Sequence, residues 1–145
     1  MISNKCYYGL KAMLELARKE GPEAVSINQI AQARQIPPRF LEAILRQLKQ
    51  GNFTTSTRGK DGGYRLARPA RSIMVGEVIR HFEGPLLSIS PAQAKDLEAG
   101  KGAVFGEIST KAEEALAAVY DSTSFADLLK RESTLNGLQV MNYSI

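Results

Sequence analysis

Thr57-Arg58-Gly59-Lys60-Asp61-Gly62-Gly63-Tyr64-Arg65-Leu66 reads as a cationic β-hairpin. Asp61-Gly62 can supply the positive φ angles of a tight turn, and Gly63 adds a further permissive position. Phe53 to Thr57 is rich in β-branched residues and leads in as one strand, while Tyr64-Arg65-Leu66 returns as the other. Arg58, Lys60 and Arg65 would then stand on a short projecting ribbon. A helix-turn-helix pattern runs from Ser26 to Gln50, directly before this hairpin. A helix pair followed by a cationic hairpin is the plan of a winged helix, which grips a duplex in two places. The expected fold class is mainly α with a small β-hairpin wing.

Ser26-Ile27-Asn28-Gln29 has the form of a capping box and opens the first helix of the pair, which ends near Arg34. Gln35-Ile36-Pro37 makes the turn, and Pro38 stands where proline starts a helix without losing a needed hydrogen bond. The second helix runs to about Gln50, with Gly51 as its stop. Phe40, Leu41, Ile44, Leu45 and Leu48 fall on one face and are assigned to the core. Arg39, Glu42, Ala43, Arg46 and Gln47 remain on the other, as long polar groups do on a recognition helix. An ordinary amphipathic helix with a solvated face would look the same, so the helix alone leaves both readings open.

Upstream, Ser3 caps a first helix reaching about Glu20, with Leu10, Met13, Leu14 and Ala17 as its buried stripe. Tyr7 and Tyr8 near its start either pack or touch a sugar-phosphate backbone. Downstream, Ile73-Met74-Val75 leads into a helix from Gly76 to Glu83, closed by Gly84-Pro85. Leu86 to Gly102 reads mostly as loop, with a turn of helix around Ala92 to Glu98. Phe105, Ile108, Ala112, Ala115 and Val119 then alternate steps of three and four along a helix to Asp121. This narrow stripe, with alanines that permit close approach, reads as a long dimerisation helix, the alternative being packing onto its own head. Ser124 caps a final short helix through Arg131, and the tail to Ile145 has no clear pattern. The domains expected are residues 1–85, which bind DNA, and residues 86–145, which hold linker, dimerisation helix and tail.

Composition limits the alternatives. The 145 residues carry a net charge of +4, distributed unevenly. Residues 1–85 hold 14 Lys/Arg against 7 Asp/Glu, whereas residues 86–145 hold 5 against 8. A basic head with a mildly acidic second part suits a polyanion-binding module with another job behind it. No apolar run is long enough to span a bilayer, and the N-terminus lacks the order of a secretory signal, so a cytoplasmic location is expected. Cys6 is the only cysteine and His81 the only histidine, so no multi-cysteine metal site or histidine cluster is expected. No nucleophile–base constellation or P-loop spacing is present either, and an enzyme is not expected.

The blocks Tyr8-Gly9-Leu10-Lys11-Ala12-Met13, Phe40-Leu41-Glu42, Arg58 to Pro69, Val75-Gly76-Glu77-Val78-Ile79-Arg80 and Glu83-Gly84-Pro85 stand in one order. In that order and spacing the chain resembles the Rrf2 family of bacterial winged-helix transcription regulators, closely over residues 1–85 and more loosely beyond. The resemblance implies a homodimer on a palindromic double-stranded DNA operator, with each recognition helix in a major groove and each wing at the adjacent minor groove. The candidate DNA-contacting residues are Lys5, Tyr8, Ser26, Gln29, Pro38, Arg39, Glu42, Ala43, Arg46, Arg58, Gly59, Lys60, Gly63 and Tyr64. Glu42 is either a reader of a cytosine amino group or an i,i+4 partner of Arg46.

Family members that sense iron–sulfur status carry three cysteines after Glu-Gly-Pro, and here Leu86 to Val104 contains none. No cofactor is therefore expected, and Cys6 reads as a half-buried structural thiol. Among cluster-free members the resemblance is to repressors of cysteine metabolism that act in complex with O-acetylserine sulfhydrylase. It implies that enzyme as a partner through Tyr143 and the terminal Ile145, whose carboxylate would imitate an amino-acid substrate. A tail that simply packs or frays is the other reading. A winged-helix module that works through a partner without binding DNA also remains open at this stage.

Overall fold

The structure is a computed structural model that describes residues 2–87 and 89–144. The chain order is α1 (Asn4–Arg18), α2 (Ile27–Arg34), α3 (Pro38–Gln50), β1 (Thr54–Thr57) and β2 (Gly63–Leu66). It continues through a short 3-10 turn (Ala70–Ser72) to α4 (Val75–Glu83), α5 (Pro91–Glu98), α6 (Ala103–Tyr120) and α7 (Phe125–Tyr143). This mainly helical order with a two-stranded antiparallel hairpin is the winged helix-turn-helix the sequence predicts.

Each helix start has a local cause. The Ser3 side chain accepts from the backbone of Cys6 and opens α1. Ser26 and Gln29 exchange side-chain and backbone bonds at 2.9 and 3.2 Å, the capping box read from the sequence. Ser90–Gln93 and Ser124–Asp127 repeat the device at α5 and α7. Between α2 and α3, Gln35 takes the left-handed conformation at φ 51° and lets buried Ile36 donate back to Ala31. Pro38 occupies the first turn of α3, as expected.

Met13 and Leu16 of α1, Ile30 of α2, and Leu41, Leu45 and Leu48 of α3 meet in one core with Ile73, Val78 and Phe125. Each side chain of this size contributes about 1.5–3 kcal/mol when fully buried. On α1 the stripe is centred on Ala12, Met13 and Leu16, while Leu10 and Leu14 lie at its half-buried edge. Phe40 departs from the predicted core: it is 44% exposed, because its place in the first turn of α3 turns it toward Tyr8 rather than inward.

The hairpin pairs Thr54 with Leu66 and Thr57 with Gly63. The turn differs at Asp61-Gly62, where neither residue takes a positive φ; it falls on Gly59, at 109°, and on Gly63, at 153°, the further permissive position expected. Gly63 is required for a second reason. Tyr64 exchanges backbone bonds with Val25 at 2.8 and 2.9 Å, and a Cβ at Gly63 would lie 2.2 Å from the Val25 carbonyl oxygen. Arg65 does not project. Its Nη1 donates to the Pro22 carbonyl at 2.7 Å, tethering the wing to the loop before α2.

The C-terminal segment also differs from its reading. The last helix continues past Arg131 to Tyr143, so most of the patternless tail is helical. Its first turn buries Phe125 completely in the core, and the Phe125 and Val75 amides donate to the carbonyls of Ile73 and Thr123. Arg80 of α4 clasps Asp121, at the end of α6, in a two-pronged pair at 2.7 and 2.8 Å. Ile145 lies outside the described residues. Among the described residues no helix is long and apolar enough to cross a membrane.

Candidate nucleic-acid interface

The buried stripe of α3 fixes which residues it presents outward. With Leu41, Ile44, Leu45 and Leu48 turned inward, Arg39, Glu42, Ala43 and Arg46 are all exposed. Arg46 donates to Glu42 at 3.1 Å, and both side chains are about two-thirds exposed, so the carboxylate keeps open lone-pair positions. The i,i+4 partnership anticipated for Glu42 therefore exists, at a worth of a few tenths of a kcal/mol.

A cleft of about 820 Å³ separates this face from the wing. It gathers Ser26, Pro38, Glu42, Arg46, Arg58, Gly59, Gly63 and Tyr64 from the predicted set. On the other side of the wing, a second open cleft brings Gln29 and Lys60 beside Ser26. The remaining predicted residues, Lys5, Tyr8, Arg39 and Ala43, line a third cleft between the start of α1 and the start of α3. The predicted set thus falls in three clefts, two that adjoin at the wing through Ser26, Thr57 and Gly62 and a third between α1 and α3.

Not every member is free to contact a ligand. Ser26 and Gln29 are partly occupied by capping α2, and Tyr64 is half-buried because its backbone holds the wing to Val25. Glycines 59 and 63 shape the turn. Lys5, Arg39, Arg46, Arg58 and Lys60 are the exposed cations that remain.

Asn28, Lys49, Ser56 and Thr57, which sequence reasoning did not single out, also line the cleft between α3 and the wing. Lys49 donates to Ser56 at 2.6 Å, linking α3 to β1. Lys49 was findable, since it continues the helical spacing of Glu42 and Arg46. The three small polar residues carry no comparable signal.

The donor set for an iron–sulfur cluster is absent. Cys6 is fully buried on α1, and burial with the neighbouring Glu83 carboxylate pushes its thiol up to about 12. His81 is taken up by the Gln47 carbonyl at 2.8 Å. Among the described residues no group of His, Cys, Asp or Glu could hold a metal ion. The residues present do not fit a cluster, and Cys6 is more deeply buried than its sequence position suggested.

The fold is matched by comparison with known proteins. The family model Rrf2, described as an iron-dependent transcriptional regulator, matches residues 2–131. The chain belongs to the Rrf2 family. The HTH-type transcriptional regulator CymR of Bacillus subtilis is 37% identical over 128 residues, 88% of each chain. The solved structure of CymR, the global cysteine regulator of B. subtilis, superposes with a TM-score of 0.74 at 32% identity, covering 90% of this chain and 97% of that one. A putative HTH-type regulator of Rhodobacter capsulatus, rrf2-like, is 42% identical over 89 residues, 59% of each chain. The protein is thus a DNA-binding transcriptional regulator of the Rrf2 type. Within a family described as iron-dependent, it lacks the thiols for a cluster.

Proposed function

We propose that this protein is a sequence-specific repressor that binds a palindromic operator as a homodimer and needs no iron–sulfur cluster. The observation that carries the reading is the cleft between α3 and the wing. Arg46, Lys49 and Arg58 line it, and among the described residues Glu42 is its only carboxylate. Arg and Lys neutralise phosphates and release counterions, while Glu42 accepts from a cytosine amino group in the major groove. Arg58 at the wing base enters the adjacent minor groove, where the potential is most negative.

The dimer forms along α6. Phe105, Ile108 and Val119 are 75%, 61% and 61% exposed, and Ala112 and Ala115 continue the stripe in the open. An apolar seam of this kind on an 18-residue helix is explained by a second copy. Likeness to CymR supports control of cysteine or sulfur genes. An O-acetylserine sulfhydrylase partner would rest on Ile145, outside the described residues, and on Tyr143, which is 91% exposed at the end of α7. The alternative is an interaction module that works through a partner and does not bind DNA.

Fluorescence anisotropy on duplex selected from a random pool tests the reading. Affinity should fall by about 10³–10⁵ between about 50 and 200 mM salt if six to ten phosphates are neutralised across a dimer. A flat salt response, or selection that enriches no sequence, would sink it in favour of the interaction module.

A further inference from the structure

Phe40 stands outside the core that Leu41, Ile44 and Leu45 build behind it, and at 44% exposure it is a costly residue to leave in water. Its ring is held in place. It stacks on Tyr8 with centroids 6.4 Å apart and planes 21° apart, and the Arg39 guanidinium lies 4.6 Å from its centroid. The Lys11 ammonium sits 5.8 Å from the Tyr8 centroid. Lys5 and Ala43 join these aromatics around a cleft of about 340 Å³, whose exposed surface is mostly apolar.

We propose that Phe40, braced by Tyr8, is a specificity-determining residue that receives the 5-methyl group of a thymine at the edge of the operator's major groove. The proposal rests on the DNA-binding reading above and deepens it. Three observations converge on this occupant. The cleft continues the exposed face of α3 at the helix's N-terminal turn, where groove-reading helices make their base contacts. Its walls are the ring of Phe40 and the methyl of Ala43, two residue types that contact the thymine methyl by apolar contact. Its rim carries Lys5 and Arg39, which suit the phosphates flanking such a base. Phosphate binding alone would use the cations and leave the exposed ring without a role. Because the stack already fixes the ring, little side-chain freedom is lost on contact.

The test replaces, one at a time, each thymine of a selected operator by deoxyuridine, which removes the methyl and nothing else. At one thymine in each half-site the wild-type protein should lose about fourfold in affinity, the worth of one buried methyl group. Phe40→Ala should bind the thymine and deoxyuridine duplexes equally at that position and keep its sensitivity elsewhere. Phe40→Leu, which retains an apolar contact, should keep part of the discrimination. Circular dichroism and sedimentation should show both variants folded and in the wild-type oligomeric state. The proposal is overturned if Phe40→Ala retains full methyl sensitivity at every thymine. It is equally overturned if the variant weakens all sequences alike, as a backbone contact would, or changes the oligomeric state, as a ring covered by a second copy would. A random pool that yields no preferred site defeats the DNA-binding reading itself, which is a different result.

Discussion

Arg34→Met removes the guanidinium that joins the helix-turn-helix to α7, and its cost can be worked from the surroundings. Arg34 is 13% exposed and donates from Nε to Glu15 at 2.9 Å and from Nη2 to Glu132 at 3.2 Å, with a closer contact from Nη1. Glu15 is 2% exposed and has one other partner, the half-exposed Arg18. Burial pushes the Glu15 carboxyl up, but the hydrogen bonds and charges of Arg18 and Arg34 outweigh it and hold the group below its ordinary range. Methionine keeps the aliphatic stem and deletes both charged contacts. Stripping a buried ion of its partner costs about 3–5 kcal/mol when nothing remains, and Arg18 remains here. A single hydrogen bond to a charged group is worth about 1.5–3 kcal/mol, and the partly exposed Glu132 adds at most about 1 kcal/mol. The expected loss is therefore about 2–4 kcal/mol, or a fall in Tm of about 5–15 °C for a chain of this size.

Urea and thermal unfolding followed by circular dichroism, at fixed protein concentration because association shifts Tm, would measure this loss. Glu132→Gln, the control, should cost less than about 1 kcal/mol. The pH dependence has a defined sign. A depressed carboxyl contributes stability above its unfolded pKa of about 4.3 and loses that contribution as pH falls through the lower folded value. Arg34→Met removes part of the depression, so its deficit against wild type should shrink on acidification below about pH 4. A deficit under about 0.5 kcal/mol at neutral pH, or one that widens in acid, would refute the reasoning.

Two further substitutions probe the wing and the seam. Gly63→Ala should cost about 1–3 kcal/mol and weaken operator binding, because the new Cβ meets the Val25 carbonyl at a positive φ; wild-type Tm and affinity together would contradict this. Ile108→Glu should yield a folded monomer by sedimentation and lower operator affinity at least about tenfold, since the residue is 61% exposed within one protomer; a persisting dimer would count against the α6 seam.

The parts of the fold legible in the sequence are those set by local chemistry. The Ser26–Gln29 capping box, Pro38 in the first turn of α3 and the buried stripe of α3 depend on residues a few positions apart. Phe40 was misread because it lies at the boundary of that stripe, where periodicity cannot say which of two neighbouring helices an aromatic faces. Glycine content makes Gly63 readable as a permissive position and Asp61-Gly62 wrongly so, but the contact with Val25 that fixes Gly63 lies outside any window around the turn. The second half of α7 was missed because Leu135, Leu138, Val140 and Met141 are exposed around more than one face and give no clean amphipathic stripe. At the candidate interface the exposed cations other than Lys49 were readable from spacing and charge. The tether of Arg65 to Pro22 was not, because only the folded loop brings that carbonyl within reach.

The contacts joining the head to the C-terminal helices bear directly on how the proposed dimer would be controlled. Arg80 grips Asp121 at the end of α6, Phe125 fills the core at the start of α7, and Arg34 holds Glu132 two turns further along the same helix. The end of α6 is therefore fixed to the head, while its start at Ala103 follows the separate helix α5. In a dimer paired along α6, the angle at which the two helices cross would set the distance between the two copies of α3. That distance has to match half-sites about 34 Å apart, one turn of the duplex. A partner or ligand that shifted α6 or α7 would act on the recognition helices through the Arg80–Asp121 and Arg34–Glu132 pairs and Phe125, which join the two parts.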